Sequence, residues 1–172
     1  MSTGVLVLVE GESDAAVLRI LASARGLDGV PLLSTGGAMG TARALRGLVD
    51  RPRVVLALCD EREAPHVGRA LTGPSDALFV CHADLEDVHA LGTDRAVDVL
   101  AETGDLRAFR TLQNQPQHRG RSVDRQLHRF IGAGSGRKAR IDAAFAASLR
   151  RGQEPPPLAA LLDRLVGEPS VP

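Results

Sequence analysis

Residues 4–18 read GVLVLVEGESDAAVL, and this stretch decides the fold. Positions 4–9 carry no polar side chain, which is the signature of a strand buried on both faces, as in a parallel sheet. At Glu10 the chain turns abruptly polar. From Asp14 to Arg25 it reads as a helix, with Ala15, Val17, Leu18, Leu21 and Ala22 on one face. A buried strand that passes through a short acidic turn into an amphipathic helix is the opening of a β-α unit.

The unit repeats. Residues 30–34 (VPLLS), 53–59 (RVVLALC) and 76–81 (DALFVC) read as three more strands. Between them, 36–40 (GGAMG) is a turn leading into a helix to about Val49, and 65–72 is a short helix. The βαβαβαβ order argues for an α/β fold, a four-stranded parallel sheet with helices on both faces. After Asp84 no strand-like run remains. Residues 86–103 look helical with a break at Leu91-Gly92-Thr93, and 113–122 (QNQPQHRGRS) form a polar loop. Two further helical stretches, 123–131 and 139–151, flank a Gly-rich turn at 132–136. The run 154–157 (EPPP) reads as a stiff breaker, and an amphipathic segment follows over 158–166. The expected organisation is a core over 1–112, a basic helical extension of the same domain over 113–152, and a Pro-containing C-terminal segment over 153–172.

Of the 172 residues, 44% are hydrophobic, enough for a sizeable core, and only 2% are aromatic, so Val, Leu, Ile and Ala must pack it. With neither Trp nor Tyr there is no obvious platform for stacking bases. No apolar run approaches the roughly 18 residues of a membrane span, and the N-terminus does not read as a signal peptide. The expected compartment is the cytoplasm, where Cys59 and Cys81, each closing an apolar run, would be small buried hydrophobes. Their separation excludes a CxxC zinc or redox motif.

The formal net charge is zero but unevenly spread. Residues 1–110 hold 11 Arg against 16 Asp and Glu, and residues 111–172 hold 10 basic against 5 acidic residues. An acidic half followed by a basic half fits a cation site beside a phosphate-binding surface. Lys138 is the only lysine among 21 basic residues, and it lies in the basic half.

The acids fall at strand ends: Glu10 past the first strand with Asp14 in the next helix turn, Asp60 past the third, Asp84 and Glu86 past the fourth. In an open parallel sheet these points share the C-terminal edge, where ligands bind. If the first and third strands are neighbours, Glu10 and Asp60 flank the topological switch point. A single acid at a helix start also caps free N–H groups. Four or five on one edge repel one another unless a cation neutralises them, and an oxygen-only set favours Mg²⁺, Mn²⁺ or Ca²⁺ over zinc.

These motifs resemble those of TOPRIM domains, and among them the OLD (overcoming lysogenization defect) nuclease type, here free-standing without the ATPase domain that OLD proteins usually carry. VLVEGESDAAVL is similar to the family's opening, which places its strand-one glutamate on Glu10 and the OLD type's next acid on Asp14. GGAMG resembles the Gly-rich turn after strand two. The family's Asp-x-Asp falls on Asp60-Glu61-Arg62, the acidic pair after strand four on Asp84-Leu85-Glu86, and a later basic residue on Lys138. The resemblance is good over residues 4–90 and loose beyond. The chain departs from it at Arg62, which stands where a second aspartate is expected. Glu61 or Glu63 could take that place, or Arg62 could supply fixed positive charge.

The resemblance implies a Rossmann-like TOPRIM fold and a divalent-metal-dependent nuclease that nicks or cleaves DNA, with RNA as the second candidate. It implies two Mg²⁺ or Mn²⁺ ions, with Ca²⁺ also a candidate. Glu10 and Asp60 would hold one, and Asp14, Asp84 and Glu86 the other. Glu10, Asp60 and Lys138 would be catalytic, Lys138 by stabilising charge on the phosphate. Backbone N–H groups of Gly36 and Gly37 would bind a neighbouring phosphate. Arg62, Arg121, Arg125, Arg129 and Arg137, with Arg119 and Arg140, could track the nucleic-acid backbone. The alternative is a catalytically weak binding or regulatory module acting with a separate ATPase or repair partner. Topoisomerase-like strand cleavage ranks last, because no tyrosine is present to form the phosphotyrosyl link. GAGSGRK does not match the P-loop pattern, since Arg137 precedes Lys138 and Ala139 follows it.

Overall fold

The computed structural model describes residues 4–81, 93–133 and 136–168. The chain forms two compact units, Met1–Leu85 with Arg150–Pro172, and Glu86–Leu149.

The first unit holds the sheet. Its elements are β1 (Val5–Val9), α1 (Glu12–Ser23), β2 (Leu32–Ser34), α2 (Ala38–Arg46), β3 (Val54–Asp60), α3 (Ala64–Ala70), β4 (Ala77–Cys81) and, far along the chain, α8 (Pro156–Val166). All strand pairs are parallel, in the order β2-β1-β3-β4. Val5 lies opposite Val54 and Leu8 opposite Ala57, so β1 and β3 run side by side in the centre. β1 is buried at every position, and β3 at all but its last. This is the double-sided burial that an unbroken apolar run implies.

Alternation along the strands sends side chains to two cores. Leu6, Leu8, Val55, Ala57 and Cys59 pack with Leu45 of α2 and Val67 of α3. On the other face α1 packs against β1 and β2, and α8 against β3 and β4. α8 begins inside the EPPP run rather than after it, because proline is tolerated in a first turn whose N–H groups need no helical partner. It buries Leu158, Leu161, Leu162 and Leu165 completely, each worth about 2 kcal/mol of transfer free energy. The segment is also tied down by charge: Arg25, just past α1, bonds Glu154 at 2.9 Å and also Asp163.

The second unit is helical: α4 (Thr93–Glu102), α5 (Leu106–Gln113), α6 (Val123–Gly132) and α7 (Arg137–Ser148). The sequence pattern predicts no helix over α5. With Leu106, Ala108, Phe109 and Leu112 its only apolar positions in eight residues, the segment is too short for its period to stand out. Phe109 packs edge-to-face on Phe130, with ring centroids 5.4 Å apart. Leu100, Leu127, Ile131, Ile141 and Phe145 are other large apolar side chains buried there. No helix among the described residues is long and apolar enough to cross a membrane.

Candidate functional site

β1 leads through α1 to β2 on one side, while β3, reached through α2, lies on β1's other side. The topological switch point therefore falls between β1 and β3, and the crevice beyond their C-terminal ends is where such a sheet binds ligands. Glu10 directly follows β1, and Asp60 is the last residue of β3.

The structure brings four carboxyl groups together here. Glu10 is held up at about 7, against an ordinary 4.5. Burial is the largest cause, followed by the negative charges of Glu63, Asp14 and Asp60, and by a hydrogen bond with the Glu63 side chain. A hydrogen bond between two carboxyl groups requires a proton on one of them, so near neutral pH the metal-free site retains a proton. The same acids act on the strand below. The Cys59 thiol is pushed up to about 12 by burial, then by Glu63 and Asp60, with Cys81 and Glu10 behind them. It stays protonated and inert, as expected of a small buried hydrophobe.

Two of the acids also have local duties. Asp14 is 9% exposed, and its Oδ2 accepts the Gly11 N–H at 2.9 Å, closing the start of α1. Asp60 Oδ1 accepts the Glu63 N–H at 2.8 Å, across the turn into α3. That turn sets the identity of the fourth acid. It brings Glu63 back over Asp60 and onto Glu10, while Glu61 and Arg62 stay exposed at the tip. Glu63 appeared in the sequence only as one of two substitutes for the missing second aspartate.

The Gly-rich turn acts on Glu10 through the main chain. Gly36 and Gly37 donate their N–H groups to the Glu10 carbonyl at 3.0 and 3.2 Å. Both have left-handed φ values, +67° and +102°, which a side chain would strain. A Cβ on Gly40 would stand 1.8 Å from the Thr35 carbonyl oxygen, so α2 can start this close only with glycine there. The two N–H groups expected to face a phosphate are thus already used to fix the backbone just past β1.

Among the described residues, no three His, Cys, Asp or Glu side chains are grouped so that they could hold a metal ion. Asp84 and Glu86 lie outside the described residues. The remaining candidates belong to the second unit. Lys138 stands half-buried in the first turn of α7. Arg125 and Arg129 are exposed one turn apart on α6, and Arg121 is exposed just before the helix's N-cap, Ser122. Arg119 is exposed and donates to the Asn114 carbonyl at 3.1 Å. Arg137 and Arg140 have structural partners instead. The Arg137 guanidinium lies 4.2 Å from the Phe130 ring centre and donates to the Phe130 carbonyl at 2.8 Å. Arg140 bonds Asp105 at 2.7 Å.

No family model matches the chain. No curated protein is detectably similar to it in sequence. Solved structures do match. The C-terminal region of the Burkholderia pseudomallei OLD protein is 17% identical with a TM-score of 0.61, over 96% of this chain and 98% of that one. The C-terminal region of the Xanthomonas campestris pv. campestris OLD protein is 18% identical with a TM-score of 0.59, over 95% and 92%. The fold is therefore that of the OLD C-terminal TOPRIM region along nearly the whole chain, as the motifs at Glu10, Asp14, Asp60 and the Gly-rich turn imply.

Proposed function

We propose that this chain is a divalent-metal-dependent nuclease that hydrolyses phosphodiester bonds, with DNA as the first substrate candidate and RNA the second. The observation that carries the reading is the crowding of Glu10, Asp14, Asp60 and Glu63 at the switch point, strong enough to hold a proton on Glu10 up to about pH 7. An all-carboxylate donor set fits Mg²⁺ or Mn²⁺, and Ca²⁺ without the strict octahedral demand. Glu10 and Asp60 would hold one ion. Asp14 would help hold a second, with Asp84 and Glu86. Bound cations would activate water and neutralise the scissile phosphate.

The chain's own groups then have defined tasks. The proton shared by Glu10 and Glu63 must leave as the site charges, so metal binding strengthens as pH rises through about 7. Gly36 and Gly37 fix the Glu10 main chain, so its carboxylate is presented without a reorganisation cost. Lys138 would stabilise charge on the phosphate, and Arg121, Arg125 and Arg129 would contact the backbone electrostatically, beside a smaller contribution from Arg62. Such a protein would work in the cytoplasm.

The test is nicking of supercoiled plasmid, and cleavage of structured RNA, with Mg²⁺, Mn²⁺ and Ca²⁺ in parallel. Activity in wild type and its loss in Glu10→Gln and Asp60→Asn is the expected result. Arg62, exposed at the motif's second acidic position, favours a second reading: a catalytically weak nucleic-acid-binding or regulatory module serving a separate ATPase or repair partner. Metal binding without turnover in wild type would select it.

A further inference from the structure

We propose that the groove between β2 and α2 is the track by which a nucleic-acid backbone reaches the carboxylate cluster, with Arg43 as its phosphate contact and Met39 as its apolar wall. The inference rests on the nuclease reading above and adds a route for the substrate.

The groove is lined by Leu33, Thr35, Gly36, Met39, Arg43 and Leu48, among others, and no acidic residue lines it. That is unusual for this half of the chain, which carries a net charge of −5 (11 Arg against 16 acids over residues 1–110). From Gly29 to Val49 there is no Asp or Glu, while Arg43 and Arg46 both fall there. Elsewhere in the same unit, Arg25, Arg51, Arg53 and Arg164 are each tied to a carboxylate, while Arg19, Arg62, Arg150 and Arg151 are not, among the described residues. Arg43 and Arg46 have no such partner among the described residues and are exposed. A charge left available in an acid-free groove suits an anion.

The groove is also continuous with the site. Thr35 lines it and equally lines the small cavity beneath Glu10 and Glu63. Gly36, on its floor, donates to the Glu10 carbonyl. A chain lying in the groove would therefore arrive at the acid cluster without crossing another element of the unit. The glycine floor permits close approach of a backbone. Met39, 80% exposed in the first turn of α2, offers a flexible apolar surface that packs on sugars and base faces without sequence preference. A cationic contact from Arg43 beside an apolar one from Met39 suits a strand in which phosphate and sugar alternate.

The test places a photo-crosslinking residue, p-benzoylphenylalanine, at Met39 of the full chain, with the same probe at Val166 as control. Val166 is 56% exposed on α8, over the opposite face of the sheet. Fluorescent single-stranded and duplex DNA are irradiated with each protein in Ca²⁺, and wild-type nicking is measured in Mn²⁺. The expected result is a DNA adduct from the Met39 probe and none from the control. Arg43→Glu should weaken DNA affinity about tenfold at low salt and reduce the salt slope by about 1. Wild-type binding or nicking with no Met39 adduct and unchanged Arg43→Glu affinity overturns the track and leaves the nuclease reading standing. An adduct between two copies of the chain, with no DNA adduct, assigns the groove to self-association and also overturns it. Neither binding nor nicking in any metal overturns both.

Discussion

Two groups of carboxylates in the sheet unit are treated in opposite ways. At the C-terminal strap, Glu154 is almost fully buried, with 3% of its side chain exposed, and so is its partner Arg25, at 4%. Burial pushes the Glu154 carboxyl up, but backbone hydrogen bonds and the Arg25 guanidinium outweigh it and hold the group below its ordinary 4.5. At the switch point, Glu10 is also desolvated, yet its neighbours are Glu63, Asp14 and Asp60, and it rises to about 7. A carboxylate that serves the fold is neutralised from within. At the switch point the acids instead raise one another, and under the proposed function a bound cation would relieve that crowding.

The largest expected effect comes from breaking the neutralised group. Arg25→Met keeps the apolar stem but leaves Glu154 buried without its cation. Loss of one partner of a buried pair costs about 3 kcal/mol. Urea unfolding should show that loss at pH 7 and a smaller one near pH 4, where Glu154 in the variant takes up a proton. The sign follows from the depressed carboxyl, whose contribution is present above its unfolded value and lost as pH falls. Equal destabilisation at both pH values would mean that the strap is held by the leucines of α8 alone.

Relieving the crowded group should do the reverse. The native state binds the Glu10 proton more tightly than the unfolded chain does, since its value rises from 4.5 to about 7. Its contribution is therefore full below about 4.5 and is lost as pH rises through about 7. Glu10→Gln removes that loss. The metal-free variant should be more stable than wild type at pH 8 by on the order of 1 kcal/mol, a shift of this size being reduced by solvent screening. The two proteins should converge at pH 4.5 in thermal melts. The Mn²⁺-induced rise in melting temperature expected of wild type should disappear. A variant no more stable than wild type at pH 8 would show that the four acids do not repel as their placement implies.

The sheet and the acids at its edge were legible for one reason: burial on both faces writes itself as unbroken apolar runs. The four runs from 4–9 to 76–81 each became a strand within two residues of the expected ends. Once strand order is known, the residues after each strand lie on one edge, and Glu10, Asp14 and Asp60 follow. What the sequence could not show is where an amphipathic helix docks. Residues 158–166 announce a buried face, but nothing in their period says that the face returns to β3 and β4. Glu63 was obscure for a similar reason. Its place depends on a turn closed by the Asp60 side chain and the Glu63 N–H, a contact three residues apart that no strand or helix period encodes. From sequence alone the Gly36 and Gly37 N–H groups read as phosphate donors, because helix starts usually offer them. Only the backbone geometry reveals that the Glu10 carbonyl already takes both.

That turn supplies a finer test of the comparison. Glu63→Gln removes one negative charge and the carboxyl–carboxyl hydrogen bond together, so the Glu10 value should fall towards 4.5. Mn²⁺ affinity measured by calorimetry at pH 6 and pH 8 should then lose most of its pH dependence, and weaken a few-fold at pH 8 where the lost ligand matters. Glu61→Gln, at an exposed position on the same turn, should change neither. If Glu61→Gln has the larger effect, the turn is set one way in the metal-free protein and another way in the bound one.

The smallest effect is expected at Arg62, where the chain leaves the motif it otherwise follows. If the site lacked a ligand at this position, Arg62→Asp would raise metal affinity and nicking together. If Arg62 gripped the scissile phosphate, the same change would strengthen metal binding and lower turnover. The structure supports neither outcome, because Arg62 is exposed at the tip of the turn while Glu63, one residue on, holds the place beside Glu10. An aspartate at an exposed tip adds charge across solvent, where an ion interaction is worth about 0.5 kcal/mol or less. Mn²⁺ affinity of Arg62→Asp should therefore stay within about twofold of wild type. In the double variant Arg62→Asp, Glu63→Gln the outcome should differ: with Glu63 gone, a new aspartate two residues beyond Asp60 has a vacancy to fill, and affinity should recover part of what Glu63→Gln lost. Recovery would show that one ligand position is served from either residue of the turn. A double variant no better than Glu63→Gln would show that residue 62 faces away from the acids whatever it carries.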